Sequence, residues 1–145
     1  VASEINRLRT QYQIPLSNII VDEDGVGGGV KDFLHCKGFI NNARPIQLNN
    51  QDANFTNLKS QCYFGLSDKI NKNEVFFAIE GEHKEKIIEE LQYVKQSKID
   101  SDGKKSVLRK EDVKELLGHS PDYSDMIMMR YSFELVNESV VWKIY

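Results

Sequence analysis

The chain has 145 residues, of which 40% are hydrophobic and 28% charged, and this balance predicts one compact domain with its own apolar core. Nineteen Lys and Arg residues stand against 22 Asp and Glu residues, a formal net charge of −3, so no overall positive field attracts polyanions. Two cysteines are too few for a disulfide framework or a zinc cluster. No apolar run approaches the length of about 20 residues that a membrane helix requires, so we expect a soluble, intracellular protein.

The first part of the chain has the pattern of a helix, a strand, a glycine loop and a second helix. Apolar residues at spacings of three and four predict a helix over Val1–Gln13. The short, β-branched run Asn18–Asp22 predicts a buried strand, and the glycines of Gly25–Gly29 predict a tight loop after it. Val30–Lys37 has a helical pattern, and Gly38 is its expected C-cap.

The middle of the chain mixes both kinds of element. Phe39–Ile46 predicts a second strand, which leads into a polar loop over Asn49–Asn54. Helical spacing of apolar residues is found over Phe55–Asn71 and over His83–Ser97, and Glu74–Ile79 between them is strand-like. This mixture predicts the α/β class.

A hairpin and two further helices are expected toward the end of the chain. The Asp102-Gly103 pair is a strong turn signal, and it predicts a hairpin that pairs Lys98–Asp100 with Ser106–Leu108. The elements expected after it are two helices, Lys110–Leu117 and Pro121–Leu135, and an alternating tail that ends at Tyr145.

Asp22 is the acidic residue at the end of the first predicted strand, immediately before the glycine loop. Open α/β sheets bind ligands beyond the carboxyl ends of their strands, so this position favours a binding function. The loop lacks the small residue at Val30 that a dinucleotide fingerprint needs, and it lacks the Gly-Lys pair of a P-loop. The alternatives are a plain glycine turn with solvated acids, or a loop that allows a backbone or a phosphate chain to approach closely.

A second acidic group begins the last predicted helix, where Ser120 is a good N-cap and Pro121 suits the first helical position. At about 100° per residue, Asp122 falls on the apolar stripe, which predicts that its carboxylate points toward the core. Asp125 lies one turn further on, close enough to address the same site. The alternative is that both acids only complement the helix dipole. The apolar stripe consists of Met126, Met129 and Phe133.

The two acidic groups together indicate a metal site. Mg²⁺ and Mn²⁺ prefer oxygen ligands that come from separate elements, which Asp22 and Asp122 could supply. Two such ions about 4 Å apart can activate a water and stabilise the leaving oxygen of a phosphodiester without a histidine base. Asp22 and Asp122 are therefore candidate metal ligands, and Asp125 is close enough to Asp122 to address the same site.

Five segments carry a resemblance to a known family: Asp22, Gly25–Val30, Asp32–Leu34, Phe55–Lys59 and Ser120–Asp125. In order and spacing they resemble the C-terminal nuclease domain of tailed-phage large terminase subunits. The resemblance implies a ribonuclease H-like mixed sheet flanked by helices, and cleavage of double-stranded DNA with two Mg²⁺ or Mn²⁺ ions. It also implies that Asp22 is the second catalytic acid and that Asp122 or Asp125 supplies the third metal-binding position.

The resemblance implies the surroundings of the domain as well. In that family the first metal-binding Asp lies on an early strand of a β-meander, which this chain lacks before the helix at Val1–Gln13. The chain also lacks the packaging motor, so we expect a single nuclease-type domain over residues 1–145 that is a fragment of a larger terminase subunit. Its implied partners are double-stranded DNA, the motor domain, the portal and the small subunit, with no membrane, in the cytoplasm of a bacterial host.

Lys104 and Lys105 at the predicted hairpin would contact the DNA backbone, as the resemblance implies, although a solvated charged turn is the commoner explanation of such a pair. Among the scattered histidines, His119 is the one beside the acidic pair. The rival function is a catalytically incomplete prophage remnant that serves as an interaction module of the packaging complex. Nucleotide binding at the glycine loop is a third alternative.

Overall fold

The computed structural model describes residues 1–24, 27–48, 53–98 and 102–136. These residues form two compact units, Val1–Asn42 and Ala43–Tyr145, which are described separately below. The expectation of one domain over residues 1–145 stays a prediction. No helix in the described part of the chain is both long enough and apolar enough to span a lipid bilayer.

The first unit is a parallel pair of short strands with helices on the connections. Its elements are α1 (Ala2–Gln11), a 3₁₀ turn (Leu16–Asn18), β1 (Ile20–Asp22), α2 (Gly27–Leu34) and β2 (Lys37–Phe39). The strands pair in parallel, with Ile20 opposite Lys37 and Asp22 opposite Phe39. Parallel strands need a crossover connection, which α2 supplies. The predicted order of helix, strand and helix is therefore confirmed, but Gly27, Gly28 and Gly29 form the first turn of α2 rather than a loop before it, and Gly25 lies outside the described residues.

The second predicted strand is wrong in its position. The helix α2 ends at Leu34 because His35 adopts a left-handed backbone with φ of 55°, so His35 takes the role expected of Gly38. The residues that follow are thereby free to pair with β1, and the strand runs over Lys37–Phe39 rather than Phe39–Ile46. Gly38 lies in this strand, where a Cβ would collide with the side chain of Glu23.

The second unit is a set of four packed helices: α3 (Leu58–Asn71), α4 (Glu82–Tyr93), α5 (Lys110–Leu117) and α6 (Asp122–Tyr131). Helix α6 packs against both α3 and α4, and α4 packs against α5. The contact between α3 and α6 is close at Gly65, since the ring of Tyr131 occupies the space that a Cβ would need. The buried apolar side chains of this core include Cys62, Leu66, Ile87, Val113, Ile127 and Met128.

The sheet content predicted for the second half of the chain is reduced to isolated pairings. Residues 74–80 form no continuous strand, which corrects the strand-like interpretation of Glu74–Ile79. An antiparallel bridge joins Gln96 to Val107, and Gly103 has a left-handed φ of 72°, as a tight turn requires. The chain segments on the two sides of the predicted turn are therefore paired, but at Gln96 and Val107 rather than over Lys98–Asp100. Residues 99–101 and the alternating tail at 137–145 lie outside the described residues.

Two glycines of α2 provide a matched test of the loop geometry. A Cβ at Gly27 would overlap the carbonyl group of Asp22, whereas a Cβ at Gly29 would meet nothing within 4 Å. We expect Gly27→Ala to lower the free energy of unfolding by roughly 1–3 kcal/mol through overpacking. Gly29→Ala is expected to leave it unchanged or raise it by up to about 1 kcal/mol, because alanine favours the helix.

Chemical denaturation of both variants measures the difference. Equal effects of the two substitutions would contradict the close approach of the α2 backbone to the end of β1.

Candidate active site

Asp22 lies at the carboxyl end of β1, as predicted, and its side chain is half-buried. Its Oδ1 accepts the backbone N–H of Asp24 at 3.1 Å and lies 3.4 Å from the side-chain nitrogen of Asn41. Asn41 also donates its backbone N–H and its side-chain amide to Asp24 Oδ2, at 2.7 and 2.8 Å. Asn41 thus holds both carboxylates at this end of the strand.

Glu23, between these two acids, is directed to a different partner. Its Oε1 forms an ion pair with Lys31 Nζ at 2.6 Å, and the hydrogen bond to Glu23 raises the pKa of Lys31. Glu23 therefore has its own cation on α2, while Asp22 and Asp24 share Asn41.

Asp125 is the most strongly engaged carboxylate of the second unit, with only 13% of its side chain exposed. Its Oδ1 lies 2.9 Å from Lys59 Nζ and accepts the Tyr63 hydroxyl at 2.8 Å. Its Oδ2 forms an ion pair with Lys110 Nζ at 3.1 Å. Side chains of α3 and α5 therefore meet on one carboxylate of α6.

These contacts decide the charge of Asp125. Burial by itself raises the pKa of the carboxyl group, because desolvation disfavours the ionised form. The charge of Lys59 and the hydrogen bonds from Lys59, Tyr63 and Lys110 act in the opposite direction and prevail, so the pKa of Asp125 is lowered. Asp125 is accordingly a carboxylate at neutral pH.

The prediction that Asp122 points toward the core is wrong, since its side chain is 76% exposed. The helix begins at Asp122, with Pro121 rather than Ser120 at the N-cap position, and the Ser120 hydroxyl donates to Asp122 Oδ1 at 2.7 Å. Asp125 is the inward-facing acid instead. The residues of α6 that are fully buried are Ser124, Ile127 and Met128, while Met126 is exposed.

Asp122 and Asp125 are nevertheless brought together by one cation. The Lys110 ammonium lies 3.1 Å from Asp125 Oδ2 and 4.0 Å from Asp122 Oδ1, so both carboxylates address the same positive charge. Oxygen donors that converge on a cation are the set that Mg²⁺ and Mn²⁺ prefer, so the acidic pair fits such an ion. A divalent ion at this position would compete with the lysine.

Asp22 belongs to the first unit and the acidic pair to the second, so the convergence of all three acids stays a prediction. Among the residues that the structure describes, no group of three or more His, Cys, Asp and Glu side chains is arranged to hold a metal ion. The role of Asp22, Asp122 and Asp125 as metal ligands therefore stays a prediction.

The sequence analysis missed the residues that hold Asp125. Lys59 belongs to a segment that carried the family resemblance, and Lys110 begins a correctly predicted helix, but neither was connected with the acidic pair. Tyr63 and Glu90 had no local signal at all, because each meets α6 only after the helices have packed.

The remaining candidates lie at the surface of the second unit. Lys105 is exposed and its Nζ lies over the ring of Phe64, 5.6 Å from the centroid, and Lys104 beside it is also exposed. Both positions are compatible with a contact to DNA, which stays a prediction. His119 Nδ1 lies 2.9 Å from the Ser120 carbonyl oxygen and 3.9 Å from Glu90 Oε1, rather than on the acidic pair.

Comparison with known proteins finds similar folds among solved structures but no related sequence family. No protein-family profile and no curated protein sequence matches the chain. The chain is similar to a lysine-to-alanine variant of the nuclease domain of the large terminase subunit gp2 of bacterial virus Sf6 with manganese, with a TM-score of 0.73 and 21% identity over 90% of this chain and 71% of that chain. The unsubstituted nuclease domain of gp2 matches with a TM-score of 0.71 and 21% identity, over 90% and 70% of the two chains.

A further similar structure is the corresponding variant of gp2c from bacteriophage Sf6 with calcium, with a TM-score of 0.72 and 20% identity over 90% of this chain and 70% of that chain. These similarities confirm the ribonuclease H-like α/β fold that the family resemblance implied. Within the described residues, however, the sheet is a parallel pair of strands rather than the expected mixed sheet.

The lowered pKa of Asp125 leads to a test by pH. Asp125→Asn leaves Lys59, which is 13% exposed, without its carboxylate, and we expect it to lower the free energy of unfolding by roughly 3 kcal/mol at pH 7. Because the folded-state pKa lies below the ordinary value of about 3.9, the contribution of the carboxylate is present above that value. It is lost as the pH falls through the folded-state pKa, so wild type and variant converge in acid.

Denaturation curves between pH 7 and pH 2 measure this convergence. The matched control is Asp122→Asn, which is expected to change stability by less than about 0.5 kcal/mol because the side chain is exposed. A destabilisation by Asp125→Asn that is independent of pH would show that the carboxylate charge is not responsible.

Proposed function

We propose that the chain is a nuclease domain, or part of one, from the large subunit of a DNA-packaging terminase, and that it hydrolyses double-stranded DNA. The observation that carries this proposal is the match in fold to the nuclease domain of the Sf6 terminase subunit over 90% of the chain. The same proposal includes the substrate, which is double-stranded DNA, and the partners, which are the motor domain, the portal and the small subunit. It also includes the bacterial cytoplasm as the location.

The proposed metal ligands are Asp22, Asp122 and Asp125. When bound, Mg²⁺ or Mn²⁺ would act as a Lewis acid. In a site with two ions, one would activate the attacking water and the other would stabilise the leaving oxygen of the phosphodiester. One of the similar terminase structures was solved with manganese and another with calcium. In this chain the exposed Asp122 gives up its hydration on meeting a cation, whereas Asp125 is already largely dehydrated and is fixed by Lys59 and Tyr63.

The lysines of the site have two separate roles in this proposal. Lys59 keeps the Asp125 charge compensated on the side of Oδ1, and Lys110 occupies the side of Oδ2 that faces Asp122. Lys104 and Lys105, at the turn between the bridged segments, are proposed to hold the DNA backbone through their charges.

One observation supports the alternative of a catalytically incomplete interaction module. Asp125, the inward acid, is already paired with two ammonium groups, so its charge is satisfied by the protein itself. In that case the carboxylate is a structural group that holds the helices together. The two functions are separated by whether the acids are needed for cleavage.

Incubation of the 145-residue chain with supercoiled plasmid and Mn²⁺ tests the nuclease proposal. We expect nicking that is abolished by a chelator, since a chelator removes the divalent ion that the proposed hydrolysis requires. Asp22→Asn is expected to lower the rate by roughly 100-fold or more, which corresponds to about 2.7 kcal/mol in the barrier. The matched control is Glu115→Gln, an exposed acid on α5 that should retain full activity.

Plasmid that stays supercoiled with the wild-type chain at millimolar Mn²⁺ would favour the interaction module. Nicking that persists in Asp22→Asn would show that Asp22 is not part of the catalytic site.

Competition between Lys110 and a divalent ion leads to a separate prediction. Lys110→Ala removes the positive charge that both Asp122 and Asp125 face, and we expect Mn²⁺ to bind roughly fivefold more tightly, the equivalent of about 1 kcal/mol for a partly exposed pair. Calorimetric titration of Mn²⁺ measures the affinity. Lys114→Ala, an exposed lysine on the same helix, is the control. Unchanged or weaker binding in Lys110→Ala would place the ion elsewhere.

A further inference from the structure

Glu90 of α4 is a buried acid, 1% exposed, that no part of the proposed chemistry uses. Its Oε2 accepts the backbone N–H of Ser124 at 2.7 Å. Burial raises the pKa of this carboxyl group, and the backbone N–H groups of Ser124 and Tyr123 act in the opposite direction. Both N–H groups belong to the first turn of α6, where the helix itself offers them no acceptor. The N-cap residue Pro121 supplies no side-chain hydrogen bond, so Glu90, which precedes Ser124 by 34 residues, caps the helix instead.

The capped turn is also the turn that carries Asp125. The Ser124 hydroxyl is buried, donates to the Pro121 carbonyl oxygen at 3.1 Å and lies 3.1 Å from the Tyr63 hydroxyl. Tyr63 in turn donates to Asp125 Oδ1 at 2.8 Å. Glu90 is therefore connected to Asp125 both through the backbone of α6 and through the two hydroxyl groups.

A carboxylate suits this position for an electrostatic reason. The N-terminus of a helix carries partial positive charge, and a buried anion is retained only where hydrogen bonds or positive charge receive it. The two N–H groups of α6 meet that requirement on one side, and His119 Nδ1 lies 3.9 Å from Oε1 on the other. A neutral amide of the same size can still accept a hydrogen bond, but it loses the attraction to the helix terminus.

We propose that Glu90 is a positioning residue that fixes the first turn of α6 and thereby the direction in which Asp125 meets its cation. The inference rests on the proposed function for the identity of that cation, but the positioning itself is measurable without a metal ion. Residues that orient a metal ligand from behind influence affinity although they never touch the metal.

The test compares Glu90→Gln with Glu89→Gln, the neighbouring exposed acid on the same helix. In Glu90→Gln we expect the folded chain to show faster hydrogen exchange of the Ser124 and Tyr123 amides, and an upfield shift of the Ser124 amide proton as its charge-assisted hydrogen bond weakens. Mn²⁺ affinity, measured by calorimetry, should fall about tenfold. Glu89→Gln should match the wild type in all three measurements.

Wild-type exchange and shift at Ser124 in Glu90→Gln would overturn the inference, as would changed amide signals with unchanged Mn²⁺ affinity. If the wild-type chain binds no Mn²⁺ at all, the proposed nuclease function fails, while the amide signals still decide whether Glu90 fixes the turn. Should Glu90→Gln not fold, Glu90→Asp, which keeps the charge on a shorter side chain, is measured in the same way. Its Ser124 amide is expected to exchange faster, and a wild-type signal there would overturn the inference.

Discussion

The second unit depends on a carboxylate at the start of α6 that is charged although it is largely buried. Asp125 is stabilised in this state because Lys59 and Tyr63 reach it from α3 and Lys110 reaches it from α5. Ion pairs of this kind add little net stability compared with apolar packing, but removal of one partner leaves an uncompensated charge behind. The arrangement therefore specifies how three helices meet more than it strengthens the core.

In the proposed metal site, the same arrangement would oppose metal binding to folding. A carboxylate that already has two ammonium partners has less attraction left for a divalent ion, and Lys110 occupies the position that Asp122 and Asp125 share. The two sets of contacts involve different oxygens of Asp125, since Lys59 and Tyr63 contact Oδ1 and Lys110 contacts Oδ2. In the proposed site a divalent ion would thus replace Lys110, while the contacts of Lys59 and Tyr63 with Asp125 persist.

In the first unit, the position of Asp22 is fixed by the backbone rather than by charged groups. Asp22 ends a three-residue strand, and the absence of a side chain at Gly27 lets the start of α2 lie directly against the Asp22 carbonyl. The Asp22 side chain is then held by Asn41 and by the N–H of Asp24. Few side-chain contacts are needed because the pairing of β1 with β2 restrains the backbone at Asp22.

Local pattern was sufficient for the strand that ends at Asp22 and for α5, whose end at Gly118 follows from the left-handed cap that glycine favours. It failed for the direction of Asp122 and Asp125, since the packing of α6 against α3 and α4 turns the face of Ser124, Ile127 and Met128 inward. Glu90, Lys59 and Tyr63 come from distant parts of the chain, and no periodicity connects them to α6. The tertiary structure alone decided which acid is buried, because burial of a charge depends on partners that only packing brings within hydrogen-bond distance.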